Sequence, residues 1–168
     1  MSTLTVWKFN TATGADNALS KLQSLQKQQI VQVLDAAVVS WPQGRNRPKT
    51  YQAMDTVGAG ALGGAFWGML FGILFFTPLF GIVVGAAAGA LSGKFADYGI
   101  NDNFINELKS KVTEGTSALF LLTGQVTVDK VEAAFAQDEK GELIQSNLST
   151  EQEAKLREDF GAEVGAGV

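Results

Sequence analysis

The residue types that most often carry out chemistry in proteins are missing from this sequence. It contains no histidine and no cysteine. It therefore lacks the usual acid–base group at neutral pH, the commonest metal ligand and any thiol chemistry. Catalysis would have to rely on carboxylates alone, and the sequence shows no pair of them that converges on one site. We predict that the protein is not an enzyme.

Three acidic residues, Asp97, Asp102 and Glu107, could be combined into a cation site. Their spacing does not fit a Ca²⁺-binding loop, whose ligands follow one another at alternate positions. Helix capping and a solvated helix face account for the same side chains. We therefore predict no metal ligands in this sequence.

Two glycine-containing segments resemble nucleotide-binding motifs. Residues 58–63, GAGALG, match the G-x-G-x-x-G pattern of dinucleotide sites. Such a site needs a preceding strand and an acidic residue about twenty positions further on, whereas residues 56–93 contain no acidic residue. Residues 92–95, SGKF, lack the first glycine and the Ser/Thr of a phosphate-binding loop. We predict no cofactor, and the sequence identifies no small-molecule substrate.

The glycines of these two segments belong to an uncharged stretch, residues 56–93. Within it, glycine recurs at every fourth position in two separate series, at 60–72 and at 81–93. Residues four apart lie on one face of a helix, so each series predicts a helix with a flat strip that another backbone can approach closely. The remaining side chains are apolar all round, which is typical of a membrane span. The predicted helix-packing positions are Gly60, Gly64, Gly68 and Gly72 in the first series and Gly81, Gly85, Gly89 and Gly93 in the second.

Thr77 and Pro78 separate the two series and are predicted to form a hairpin turn. At about 1.5 Å per residue each arm is close to the ~30 Å thickness of a bilayer's hydrocarbon core. The stretch therefore predicts a helical membrane hairpin at 56–95, either spanning the bilayer or entering it from one side. A helical hairpin buried in a soluble oligomer is the alternative interpretation.

Basic residues flank this predicted hairpin, with Arg45, Arg47 and Lys49 before it and Lys94 after it. Such residues contact anionic lipid headgroups, or they belong to an ordinary solvated loop. By the positive-inside rule they predict an inner-membrane protein with both termini in the cytoplasm. The net charge of −4 gives no basic character that would indicate nucleic-acid binding.

The segments on either side of the stretch predict an α+β domain. Strands are predicted at 3–9, 30–41, 117–123 and 142–148, and helices at 15–28, 101–113, 127–136 and from Ser149 to about 161. Asn101 or Asp102 is expected to cap the second helix, and residues 149–153, STEQE, show a capping-box pattern at the start of the last one. Without the insert, the order is strand, helix, strand, strand, helix, strand, which predicts a ferredoxin-like (split βαβ) domain. We predict a discontinuous domain at 1–41 and 116–161, an insert at 42–115 and a flexible tail at 162–168.

Several residues carry a resemblance to a known family: the GAFWGMLFG segment at 64–72, Thr77-Pro78-Leu79, the second glycine series, and the DYGI segment at 97–100 followed by Phe104. They resemble an uncharacterised bacterial family of predicted membrane proteins with a glycine-zipper hairpin. The flanking segments are similar along most of the chain. The resemblance implies membrane residence, and it brings neither an activity nor catalytic residues.

Different functional classes remain open at this point. We favour a non-enzymatic integral membrane protein that self-assembles through its glycine series, with a cytoplasmic α+β assembly or partner-binding module. Its partners would be the lipid bilayer and further copies of the chain. An oligomeric channel or transport component is the first alternative, although the arms carry only Thr56, Thr77 and Ser92 as polar side chains and a pore usually has a polar ring. A soluble oligomer with a buried helical hairpin is the second alternative.

Overall fold

The computed structural model describes residues 2–31, 33–46, 48–52, 67, 70–76, 98–123, 125–135 and 141–160. The strands in these residues are β1 (Ser2–Phe9), β2 (Val33–Ser40), β3 (Lys49–Gln52), β4 (Ser117–Thr123) and β5 (Glu142–Leu148). The α-helices are α1 (Gly14–Lys27), α2 (Asp102–Lys111), α3 (Gln125–Phe135) and α4 (Thr150–Phe160), and Gly72–Phe76 form a π-helical turn. The chain thus has an α+β fold.

The five strands form one antiparallel sheet in the order β3-β2-β4-β1-β5. The central strand β4 is buried along its whole length, and its Phe120 lies opposite Val6 of β1 and Ala37 of β2. Helix α1 connects β1 to β2 across β4, and α3 connects β4 to β5 across β1. Both helices therefore cross the same sheet, and they share one core.

One face of the sheet is covered by α1 and α3. The buried side chains between these helices and the sheet form what we name the helix-side core. The ring of Phe135 from α3 meets Trp7 of β1 edge-on, with 5.2 Å between the ring centroids. The periodicity of α1 points its apolar stripe at the sheet. Members of this core on α1, on the sheet and in the loop before β2 are Trp7, Phe9, Ala15, Ala18, Leu19, Leu22, Val31, Val33, Ala36, Val38, Leu119 and Leu121.

The opposite face is covered by α2 and by the described part of residues 67–76, and we name its buried side chains the aromatic core. Phe120 of β4 meets Phe71 edge-on at 5.2 Å between centroids and Trp67 at 6.2 Å. Helix α2 contributes one apolar stripe. Members outside the sheet are Trp67, Leu70, Phe71, Leu74, Tyr98, Ile100, Phe104, Ile105, Leu108 and Val112.

The predicted fold class, a ferredoxin-like domain with an inserted transmembrane hairpin, is wrong in two respects. The sheet has a further edge strand, β3, which pairs with β2 where the sequence indicated only a loop leading into the hairpin. Among the described residues, no helix combines the length and the apolar character needed to cross a bilayer.

The same finding contradicts the predicted transmembrane helices and hairpin, and also the location in a bacterial inner membrane with both termini cytoplasmic. Of the range 56–95, the structure describes residue 67 and residues 70–76. There the side chains of Trp67, Leu70 and Phe71 pack against the chain's own sheet. An uncharged, apolar sequence predicts that the segment is buried away from water. A protein core can bury it as well as a lipid bilayer can.

The predicted division into a domain at 1–41 and 116–161 and an insert at 42–115 stays a prediction. The aromatic core nevertheless contains side chains from both parts, because α2 and the 67–76 segment lie on the sheet formed by β1, β2 and β4. The predicted tail at 162–168 lies outside the described residues.

Candidate functional site

Of the eight glycines predicted to pack helices together, the structure describes only Gly72, at the start of the π-helical turn. A Cβ atom placed on Gly72 would meet no heavy atom of the described residues within 4 Å. The other predicted packing and turn positions lie outside those residues, and their roles stay predictions. They are Gly60, Gly64, Gly68, Gly81, Gly85, Gly89, Gly93, Thr77 and Pro78.

Two of the four basic residues predicted to contact lipid headgroups are described. Arg45 is exposed in the loop between β2 and β3, where its carbonyl oxygen accepts a hydrogen bond from Nε1 of Trp41 at 2.9 Å. Lys49 is exposed at the first position of β3. Arg47 and Lys94 lie outside the described part of the chain. Contact with lipid stays a prediction for all four.

Asp35 is a fully buried carboxylate in the middle of the sheet. It lies at an irregularity in the pairing of β2 with β4, between Val33 and Asp35. Its Oδ1 accepts a hydrogen bond from the backbone N–H of Ala36 at 2.8 Å. A buried carboxylate needs hydrogen bonds of this kind. The contact binds the side chain to the bulge itself, so its observed role is structural.

The turn between β1 and α1 is fixed by serines from two neighbouring strands. Ser117 of β4 donates a hydrogen bond from its Oγ to the carbonyl of Thr11 at 2.7 Å, and the same oxygen accepts one from the N–H of Ala15 at 2.8 Å. Ser40 of β2 donates to the carbonyl of Ala12 at 2.6 Å. The N–H groups at a helix start have no partner within the helix, and Ser117 supplies one from a distant strand.

A third strand reaches the same helix end. The hydroxyl of Tyr51 on β3 donates to Oδ1 of Asp16 at 2.5 Å. Desolvation, together with the hydrogen bond to Asp16 and its negative charge, raises the pKa of Tyr51 to about 12. The neutral hydroxyl is thus the favoured form, and it ties the short edge strand β3 to α1.

This contact predicts a dependence of stability on alkaline pH. Because the pKa of Tyr51 is higher in the folded protein than the ordinary tyrosine pKa of 10.0, the contact contributes fully to the free energy of unfolding below pH 10.0. This contribution is lost as the pH rises through about 12. We expect Tyr51→Phe to melt at a lower temperature than the wild type at about pH 8 and to approach it near the raised pKa. The check is the melting temperature of both proteins across this pH range. A difference independent of pH would contradict the assigned role.

β5 forms one end of the sheet and is the candidate interaction surface. It pairs with β1 along its full length, from Glu142 opposite Lys8 to Leu148 opposite Ser2. No described strand pairs with its other side. Ile144 and Leu148 are buried in the aromatic core, which holds the strand in place. In an antiparallel sheet, alternate peptide groups of an edge strand point outwards and can pair with another strand.

The sequence of β5, ELIQSNL, lacks the usual features that protect an edge. Natural edge strands are short or carry lysine, proline or inward-pointing charges. β5 has seven residues, of which only Glu142 at its first position is charged, and it contains no proline. The opposite edge, β3, has four residues and begins with Lys49. Sequence reasoning identified β5 as a strand but missed that it is an unprotected edge.

The first end of the β5 edge, at Glu142, carries a small group of charged side chains. At the first end, the carboxylate of Glu142 contacts Nζ of Lys111, which also lies 3.4 Å from Glu107. The hydrogen bond from Lys111 lowers the pKa of the Glu142 carboxyl. These groups are largely solvent-exposed, so the ion pairs contribute little to stability.

At the other end of the edge, Leu148 leads through Ser149 into α4. Ser149 Oγ accepts from the N–H of Gln152 at 3.1 Å, and Oε1 of Gln152 accepts from the N–H of Ser149 at 2.9 Å. This capping box fixes where the helix begins. Four side chains of α4 are exposed to solvent: Glu151, Ala154, Lys155 and Glu158.

Comparison with known proteins places the chain in a family. A model described as "Protein of unknown function (DUF1269)" matches residues 61–161, which is more than half of the chain. The match spans the aromatic-core segment, α2, β4, α3, β5 and α4, and it shows neither a membrane location nor a glycine zipper. No curated protein and no solved structure matches the chain. The chain therefore belongs to the DUF1269 family of proteins of unknown function.

Proposed function

We propose that this chain is a non-enzymatic assembly module that associates with further copies of itself. The carrying observation is that buried cores cover both faces of the sheet, while no strand among the described residues pairs with the outer side of β5. A sheet whose faces are covered and whose edge strand lacks a partner on one side is suited to binding another strand at that edge. Such a surface does not enclose a small substrate, which proteins bind in concave pockets.

The burial of the described part of the apolar stretch supports the interpretation in which this stretch packs within protein. Trp67 is 2% exposed and Leu70 is fully buried, and both lie in the aromatic core. An apolar side chain in such a core contributes to stability through burial and close packing. We propose that the uncharged stretch serves folding and assembly rather than transport.

The contacts of the described ionisable groups also favour a structural role. Asp35 is bonded to its own bulge, Asp16 to Tyr51, and Glu142 to Lys111. The Asp16 and Glu142 contacts each join two elements of the fold, the Asp35 contact lies within β2, and the three contacts are at separate places in the domain. General acid–base catalysis needs such groups to converge on one reacting atom.

Sedimentation velocity of the purified full-length chain tests this proposal. We expect the average mass to rise from the 17.8 kDa of the monomer as the concentration increases from about 1 μM to about 1 mM, a range that covers moderate and weak association. A single 17.8 kDa species throughout this range would overturn self-association.

A further inference from the structure

We infer that the contact between copies is an antiparallel pairing of β5 with β5 of a second copy, centred on Gln145. The inference rests on the proposed function of self-association and adds its surface, its symmetry and its register. Two five-stranded sheets would then join edge to edge into one continuous sheet. Each outward peptide group of β5 in the paired region would gain the partner that an edge strand lacks.

The choice of β5 over β3 follows from length and charge. Pairing adds hydrogen bonds in proportion to strand length, and β5 has seven residues whereas β3 has four. From Leu143 to Leu148 the strand carries no charge that would have to lose water in a shared sheet. β3 carries Lys49, a residue type that keeps edges apart. Tyr51 on the same strand is already bonded to α1.

The symmetry follows from the strand being its own partner. Two antiparallel copies of one strand are related by a two-fold axis perpendicular to the sheet, which is the commonest symmetry of homo-oligomers. Such an axis keeps the aromatic-core face of one copy continuous with that of the other. Opposed residues must therefore belong to the same face of the sheet, so they have to be an even number of positions apart along β5, because successive positions of a strand alternate between the two faces.

The register follows from overlap. With the axis at Gln145, all seven residues of each β5 find a counterpart, and Glu142 of one copy lies opposite Leu148 of the second copy. An axis at Ile144 or at Ser146 would leave residues at the strand ends without a counterpart. The centred register is therefore the one that pairs the most backbone.

Charge complementarity supports the same register. It brings the Glu142 carboxylate of one copy close to the start of α4 in the second copy, which follows Leu148 by two residues. A negative charge is favourable at a helix N-terminus. Lys111, which contacts Glu142, is brought towards the exposed Glu151 in that first turn. The two-fold axis repeats both interactions at the other end of the interface.

Single-cysteine variants test the inference cleanly, because the chain contains no cysteine of its own. Directly opposed residues of antiparallel strands have Cα atoms about 4.5–5.5 Å apart, which is within the range of a disulfide. We expect Gln145→Cys to form a covalent dimer under mild oxidation with glutathione. Thr50→Cys, on the opposite sheet edge β3, is the matched control and should stay uncrosslinked.

A mixture of two variants tests the register. Leu143→Cys and Asn147→Cys are expected to crosslink when mixed, because the axis at Gln145 places these two positions opposite each other. Each variant alone should remain uncrosslinked, since its own counterpart is then four residues away, about 13 Å along the strand.

A substitution that needs no disulfide completes the test. Gln145→Lys places two like charges opposite each other and should raise the dissociation constant by about fivefold. Gln145→Thr, a neutral strand former, should leave it unchanged. A wild-type dimer in which Gln145→Cys fails to crosslink and Gln145→Lys keeps the wild-type dissociation constant would overturn the β5 interface and leave self-association standing. A wild type that stays monomeric would overturn both.

Discussion

Phe71→Ala is expected to lower the free energy of unfolding by about 3–5 kcal/mol, the usual cost of truncating a buried aromatic side chain. Phe71 is 4% exposed, and its ring stands edge-on to Phe120 of the central strand at 5.2 Å. Its loss would leave a cavity in the aromatic core that rigid strands cannot fill. Chemical denaturation of the wild type and the variant measures the difference.

Ile30→Ala is the matched control, because Ile30 is 40% exposed in the turn after α1 and its truncation should cost less than about 1 kcal/mol. Phe75→Ala should fall between the two, since Phe75 is only partly buried against the same core. A loss for Phe71→Ala as small as that for Ile30→Ala would show that the 67–76 segment does not support the fold. The proposal that the apolar stretch packs within protein would then lose its main observation.

The misinterpretation of this stretch has a physical origin. Composition and the four-residue glycine spacing say that the segment avoids water and forms helices, but they do not distinguish a lipid tail from the face of a sheet. The positions that are buried in the structure, Trp67, Leu70, Phe71 and Leu74, recur at intervals of three and four. Such intervals are those of one helix face. Positions between them, such as Met69 and Ile73, are apolar as well, so the sequence contains no signal that separates a protein core from lipid.

Helix caps were predicted correctly from the sequence, because they depend on contacts between residues close together in the chain. Asn101 was one of two residues expected to cap the helix after the stretch, and its side chain accepts a hydrogen bond from the N–H of Phe104 at 2.9 Å. The capping box predicted at Ser149 is confirmed by its two reciprocal hydrogen bonds with Gln152. In both cases the interacting residues lie three apart, so the sequence alone contains the complete motif.

Features that depend on distant parts of the chain could not be predicted in the same way. β3 has four residues, too few to show an alternating pattern, and it exists because Tyr51 and its neighbours pair with Val38 and Val39 of β2. The status of β5 as an edge depends likewise on which strands occupy the rest of the sheet. The lack of charge in β5 is visible in the sequence, but only the sheet topology shows that these uncharged residues lie at an edge.

Ser117→Ala is expected to lower the free energy of unfolding by about 1–3 kcal/mol, although it removes a single oxygen atom. Ser117 is fully buried, and its Oγ both donates to the carbonyl of Thr11 and accepts from the N–H of Ala15. The substitution leaves a backbone donor and a backbone acceptor without this partner at a site from which water is excluded. An unsatisfied buried group costs more than the average hydrogen bond contributes.

The effect should be specific to the start of α1. Ser110→Ala is the matched control, because Ser110 is exposed and its hydroxyl donates to the carbonyl of Glu107 within its own helix, where water can replace the bond. Hydrogen exchange should show faster opening of the first turn of α1 in Ser117→Ala, while protection in the centre of β4 falls only with global stability. Equal stability of the two variants would mean that the turn between β1 and α1 is held by Ser40 and Tyr51 alone. In that case the long-range cap from β4 would have no energetic role.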